Sequence, residues 1–164
     1  MNAAQSPQIV EQLKQALVAE PLFRDGERTL TAAQGGLRLT CQLTALDSLA
    51  CAVSEVELLA DCLVGAPSSR LEQVAAALAK RLIYLLEPIT PIETDADRCV
   101  VQMRSNPPHK HAAGTDYYEL LVTAEGRIHL ARYSRAPGAT RTPIAAQLTH
   151  EVLVRLAGDF VAAL

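Results

Sequence analysis

The sequence contains no tryptophan, and its two phenylalanines and four tyrosines make up only 4% of 164 residues. A hydrophobic core must therefore be built from leucine, valine, isoleucine and alanine. No apolar run reaches the roughly 18–20 residues that a membrane-spanning helix requires. The first twenty residues carry polar side chains where a signal peptide needs continuous apolar sequence. These absences predict a protein of the cytoplasm without a membrane partner.

Common catalytic and nucleotide-binding motifs are also missing. The sequence has no G-x-G-x-x-G, no P-loop and no G-x-S-x-G. Its four cysteines form neither a C-x-x-C pair nor a zinc-ligand spacing. Cys41, Cys51 and Cys99 instead fall on inward-facing positions of predicted strands, where cysteine acts as a small hydrophobe. We therefore predict no catalytic residue, metal or cofactor, which favours a protein that is not an enzyme.

The remaining composition, 49% hydrophobic and 20% charged, is that of one globular domain, which we place over residues 1–164. The net charge of −3 is unevenly divided. Residues 1–97 carry 7 basic and 13 acidic side chains, a net charge of −6. Residues 98–164 carry 8 basic and 5 acidic side chains, a net charge of +3, together with all four histidines. The second part of the chain is thus where anionic partners would be sought.

Three segments show the spacing of amphipathic helices, over about residues 7–19, 69–86 and 142–162. The second segment opens with Ser69 and Glu72, the pattern of a capping box. The third begins with a threonine followed by proline, which is typical of a helix N-terminus. Since each segment has an apolar side, we expect all three helices to pack on one sheet.

Between the helices, apolar residues alternate with polar ones, which indicates half-buried antiparallel strands. Gly35 and Gly36 predict a tight turn between the first two. The predicted strands cover residues 28–32, 37–44, 49–53, 98–104, 117–123 and 127–134. Residues 87–97 are predicted to be an extended connection and residues 105–116 a loop. The predicted fold is α+β, three helices on a twisted antiparallel sheet in the order α-βββ-α-βββ-α.

The candidate binding residues lie in the basic second part of the chain. One set comprises arginines and tyrosines in or beside the last predicted hairpin, which would bind phosphate, carboxylate or a stacked base. Its members are Arg127, Arg132, Arg135, Arg141, Tyr117 and Tyr133. The other set is His109 and His111, which need a third protein ligand before they make a metal site. Because the sequence pI is about 5.8, we do not expect nucleic acid as the partner.

With three helices around two groups of three strands, the chain resembles the type III secretion chaperone-like fold. In that fold three helices pack on a strongly twisted antiparallel sheet. The resemblance covers nearly the whole chain and implies a homodimer that holds an extended segment of a client protein. It carries over no site residue, because fold does not fix function.

Three hypotheses for the function follow. The leading one is a non-catalytic, chaperone-like protein-binding domain that associates with itself and with a protein client, through strand addition or helix packing. The first alternative is a small metal-dependent enzyme that uses the loop with His109 and His111. The second is a binder of anions or nucleic acid through the basic hairpin.

Overall fold

The computed structural model describes residues 5–164 of the chain. Its helices are α1 (Gln5–Ala19), α2 (Ser68–Arg81) and α3 (His150–Ala162). Its strands are β1 (Arg28–Gln34), β2 (Leu37–Leu46), β3 (Ala50–Val64), β4 (Ile89–Asp95), β5 (Val100–Ser105), β6 (His109–His111), β7 (Gly114–Thr123), β8 (Glu125–Arg135), β9 (Thr142–Ile144) and β10 (Ala146–Thr149). Within these described residues, no helix combines the length and apolar character needed to cross a membrane.

All ten strands belong to one antiparallel sheet. Its main path runs β1-β2-β3-β8-β7-β5-β4. Three short strands lie off this path: β10 pairs with β3, β9 with β8 and β6 with β7. The predicted α+β class, with three helices and a large antiparallel sheet, is therefore confirmed.

The strands β9 and β10 fill a gap between β3 and β8. Those two long strands pair through residues 55–59 of β3 and 127–131 of β8. Beyond this stretch, β3 continues its pairing with β10, and β8 continues with β9. The connection that precedes β9 is thereby held beside β8, which places Arg141 next to the centre of the sheet.

The helices cover one face of the sheet. One buried cluster contains side chains of all three helices together with every second residue of the central strands, such as Leu58, Leu120 and Ile128. The intervening residues, such as Tyr117 and Glu119 on β7, point to the opposite side because strand side chains alternate. We call that opposite side the open face.

The second half of the chain contains more strands than the sequence predicts. Seven strands, not three, lie between α2 and α3. The predicted connection 87–97 contains β4, which pairs with β5. The predicted start of the third helix, Thr142–Pro143, lies in β9 instead. Helix α3 begins at His150, and the Thr149 side chain caps it by accepting a hydrogen bond from the Val152 amide at 3.2 Å. Proline fits such a strand because β9 pairs only with β8.

Of two further local predictions, the turn between β1 and β2 is confirmed and the cap of α2 is wrong. The turn at Gly35 and Gly36 is present, with φ angles of +53° and +78° that glycine adopts without steric cost. The predicted capping box at Ser69 is wrong, since α2 begins one residue earlier, with Pro67 as its N-cap. The helix ends at Arg81, so the predicted extension to residue 86 is irregular chain.

The cysteines follow the predicted burial in two of three cases. Cys41 and Cys51 are buried on the helix-covered side of β2 and β3. Cys99 is not on a strand, since its φ of +51° places it in the turn before β5, with its thiol 3.8 Å from the Ser68 hydroxyl. The prediction of an inward-facing strand position for Cys99 was therefore wrong.

Burial gives a testable difference in thiol reactivity. It raises the pKa of the Cys41 thiol to about 12 and that of Cys51 to about 11. Since alkylating reagents attack the thiolate, iodoacetamide near neutral pH is expected to label exposed Cys62 and to leave Cys41 and Cys51 unmodified. Peptide mass mapping before and after denaturation measures this. Labelling of Cys41 in the native protein at the rate of Cys62 would contradict the burial.

Candidate functional site

Two tyrosines of the open face form its centre. Tyr117 and Tyr133 are direct cross-strand partners on β7 and β8. Their ring centroids lie 6.1 Å apart, and the ring planes are inclined by 30°. Such a pair stabilises the facing strands. Tyr117 is buried, with 7% of its surface exposed, whereas Tyr133 is partly exposed.

Each tyrosine ring is covered by an arginine. The guanidinium of Arg104 lies 4.9 Å from the Tyr117 ring centroid, and that of Arg141 lies 4.3 Å from the Tyr133 centroid. Both distances are within the range of cation–π interaction. A row of four stacked groups therefore runs across β5, β7, β8 and the segment before β9.

One carboxylate holds both arginines in place. Glu119, whose side chain is only 6% exposed, accepts a hydrogen bond from Arg104 Nη2 at 2.6 Å and pairs with Arg141 through its other oxygen. Gln102 adds a donor to the same carboxylate at 3.1 Å. Burial alone would lower the pKa of Arg141, but the charge and hydrogen bonds of Glu119 and the hydroxyl of Tyr117 raise it above its usual range. The group of Arg104, Tyr117, Glu119, Tyr133 and Arg141 is called the Arg–Tyr cluster below.

Further pairs of basic and acidic side chains lie on the open face beside this cluster. Arg127 pairs with Glu57, and His129 Nε2 lies 3.1 Å from Glu55 Oε2. Both acidic residues belong to β3, the neighbour of β8 in the sheet. The charge of Arg127 on the hairpin is thus paired with a carboxylate from the acidic first half of the chain.

Arg132 does not belong to this surface, which corrects its prediction as a binding residue. Its side chain is 7% exposed and lies on the helix-covered side, with its guanidinium 4.7 Å from the Tyr118 ring centroid. Arg132 Nη2 donates to Glu87 Oε1 at 2.9 Å, while the Ser105 hydroxyl donates to Glu87 Oε2 at 3.4 Å. The Arg132–Glu87 pair is a structural element inside the fold.

The remaining predicted residues lie near the start of β7 and the end of β8. Arg135 is exposed, and its Nε donates to the Ala139 carbonyl at 3.2 Å. His109 and His111 lie on β6, with ring centroids 5.9 Å apart. Neither histidine is part of the Arg–Tyr cluster.

The surroundings of His111 are those of a structural side chain. Its Nε2 lies 3.1 Å from Asp116 Oδ1, and its Nδ1 accepts from the Ala113 amide at 3.3 Å. Burial opposes ionisation of Asp116, but hydrogen bonds from Ser134 and His111 lower its pKa. Over residues 5–164, no three histidine, cysteine or acidic side chains are grouped so that they could hold a metal ion.

The candidate binding residues taken from the sequence did not include Arg104 and Glu119 of the cluster, nor Gln102 beside it. The spacing of Tyr117 and Glu119 by two residues does place them on one face of a strand. Their link to Arg104 depends on the pairing of β5 with β7, in which Arg104 lies opposite Glu119. That pairing joins residues across a long loop, and no local pattern indicates it.

Comparison of the chain with protein families, curated proteins and solved structures finds no match. The resemblance to the type III secretion chaperone-like fold therefore stays a prediction. The geometry of the open face is the basis for assigning a function.

Proposed function

We propose that this chain is a non-catalytic, chaperone-like protein-binding domain that acts as a homodimer in the cytoplasm. Its sheet twists as in the type III secretion chaperone-like fold, and an extended segment of a client protein lies against the open face. The Arg–Tyr cluster is the contact point for that segment. The observation that carries this proposal is the fixed row of two arginines and two tyrosines outside the helix-covered core.

Tyrosine and arginine, together with tryptophan, are enriched among the residues that dominate binding energy in protein interfaces. A side chain that is already held in place loses little conformational freedom when a partner binds. Glu119 holds Arg104 and Arg141 in this way, and the stacked rings hold each other. The cluster is therefore preorganised for contact with another chain.

Charge favours a protein segment over a polyphosphate chain. Two guanidinium groups and one carboxylate give the Arg–Tyr cluster a formal charge of +1. Arg127 is paired with Glu57, so it adds no unpaired charge to the surface. A nucleic acid needs several arginines or lysines whose counterions it can replace. A segment with one carboxylate and an apolar or aromatic side chain matches this cluster better.

Selection from a library of short random peptides tests the proposal. We expect enriched peptides to carry an acidic residue near an aromatic one and to bind the wild-type chain in titration calorimetry. Arg141→Ala removes one stacked guanidinium and is expected to weaken this binding about tenfold or more.

Arg155→Ala is the matched control for this experiment. Arg155 also stacks on a tyrosine, with 4.0 Å between its guanidinium and the Tyr84 ring centroid, and also pairs with a carboxylate, that of Asp159. It lies on α3, away from the open face. Equal loss of binding in Arg141→Ala and Arg155→Ala, or no enriched peptide, would contradict the proposed role of the Arg–Tyr cluster.

A further inference from the structure

The strand β1 is an edge strand of the sheet, and its pairing with β2 is regular. It pairs with β2 over seven consecutive positions, Arg28–Gln34 with Leu37–Leu43, without a register shift. Within residues 5–164, no strand of the sheet lies on the other side of β1. Such an edge offers backbone donors and acceptors to an additional strand.

The contact with α1 shows which backbone groups point outward. The Ala33 amide donates to Gln12 Oε1 at 2.9 Å, so it is directed away from β2. In an antiparallel pair, every second residue turns its N–H and C=O outward. Thr29 and Thr31 therefore share this direction with Ala33, and their side chains are exposed.

The opposite edge strand, β4, has features that prevent pairing with another strand, whereas β1 lacks them. Strand β4 contains Pro91 and a register shift between Pro91 and Glu93, and proline and irregular pairing are devices that prevent edge association. In β1, only the first residue, Arg28, is charged. Its guanidinium is directed to Glu20 at 3.6 Å and to the Phe23 ring at 5.4 Å.

We infer that a second copy of this chain pairs with β1, antiparallel, with the two-fold axis at Thr31. In this register Thr31 faces Thr31 of the second copy, and Thr29 faces its Ala33. Arg28 faces Gln34, so no charged residue lies opposite its own copy. Leu30 faces Ala32 on the helix-covered side, where both are buried in the single chain and extend the core across the axis.

This pairing produces a closed dimer. The two β1 edges satisfy each other, and the outer ends of the joined sheet are the protected β4 strands. The Gln12 side chain must release the Ala33 amide, because that amide then donates to the second copy. Within residues 5–164, this is the only hydrogen bond between a side chain and an outward backbone group of β1. The dimer therefore displaces no other side chain from this edge.

The inference rests on the homodimer of the proposed function and names the surface that forms it. Two charge variants test it, Thr31→Lys and Thr31→Glu. Residue 31 would face itself in the dimer, so each variant alone places like charges together and is expected to weaken association about tenfold or more. An equimolar mixture of the two variants places opposite charges together and should restore dimers. Analytical ultracentrifugation measures all of these species.

Thr94→Lys on β4 is the control, because it makes the same change at an exposed threonine of the other edge. It should leave the dimer unchanged, and circular dichroism should show the native spectrum for every variant. Thr31→Pro is a second test, since it removes an outward N–H without breaking a bond to β2. It should also give monomers.

The outcomes separate the two proposals. A wild-type chain that is monomeric would overturn both the homodimer and the β1 interface, leaving the edge for a strand of another protein. Wild-type dimers that persist in Thr31→Lys and Thr31→Pro would overturn only the β1 interface. Dimers lost in each variant and regained in the mixture would support it.

Discussion

Glu87→Ala is expected to lower the free energy of unfolding by about 3–5 kcal/mol. The change leaves the Arg132 guanidinium on the helix-covered side with a side-chain exposure of 7% and without its carboxylate partner. An uncompensated buried charge costs more than the lost hydrogen bond, because water cannot reach it. The Ser105 hydroxyl also loses an acceptor, although it keeps its bond from the Tyr118 amide at 2.7 Å. Urea unfolding measured by circular dichroism gives the difference.

Two controls separate buried charge from general loss of contacts. The double variant Glu87→Met with Arg132→Met removes both charges and should recover most of the stability that Glu87→Ala loses. Arg98→Ala removes an arginine that is 84% exposed and pairs with Asp95 at 3.7 Å, and it should change stability by less than about 1 kcal/mol. A loss in Glu87→Ala as small as that in Arg98→Ala would show that Arg132 finds water in the folded chain.

The first hairpin of the fold was predictable because its signals are local. Alternation along residues 37–43 and two glycines with positive φ determine a hairpin without information from the rest of the chain. The second half depends on distant pairings. Pro91 and Pro143 argue against regular strands in sequence, yet β4 lies at the sheet edge and β9 pairs on one side only, where a missing amide costs little.

The candidate site was predictable in part for the same reason. Tyr117 and Tyr133 flank one short hairpin, so their proximity follows from the turn between β7 and β8. The place of Arg104 beside Glu119 depends on the register between β5 and β7, which no local sequence pattern indicates. The burial of Arg132 did have a signal, since the two-residue period that buries Ile128 and Leu130 also buries residue 132. Its charge obscured that signal.

The two polar groups on β8 show how one strand serves both stability and binding. Arg132 and Tyr133 are neighbours in sequence and point to opposite faces. The charge of the first is neutralised by Glu87 on the helix-covered side, whereas the second stacks under Arg141 on the open face. A substitution at Arg132 should therefore act on folding, and one at Tyr133 on the proposed binding of a client segment.

Gly114→Ala is expected to destabilise the fold by about 2–4 kcal/mol, because a Cβ at the start of β7 would collide with the backbone of Arg135. Gly114 has a φ of +157°, and a Cβ there would lie 2.4 Å from the Arg135 carbonyl oxygen and 3.0 Å from its carbon. Both are backbone atoms, so the strand ends must move apart.

That movement reaches the candidate site, because Arg135 begins the segment that leads to Arg141. Gly114→Ala should therefore weaken peptide binding as well as stability. Thermal unfolding measures the stability, and titration calorimetry on the same sample measures the binding. Gly138→Ala is the control: its φ is +73°, but a Cβ would meet no atom within 4 Å, so the cost is only that of the backbone conformation, about 1 kcal/mol. Equal destabilisation by the two substitutions would show that the clash of the added Cβ with the Arg135 backbone is not the cause of the loss.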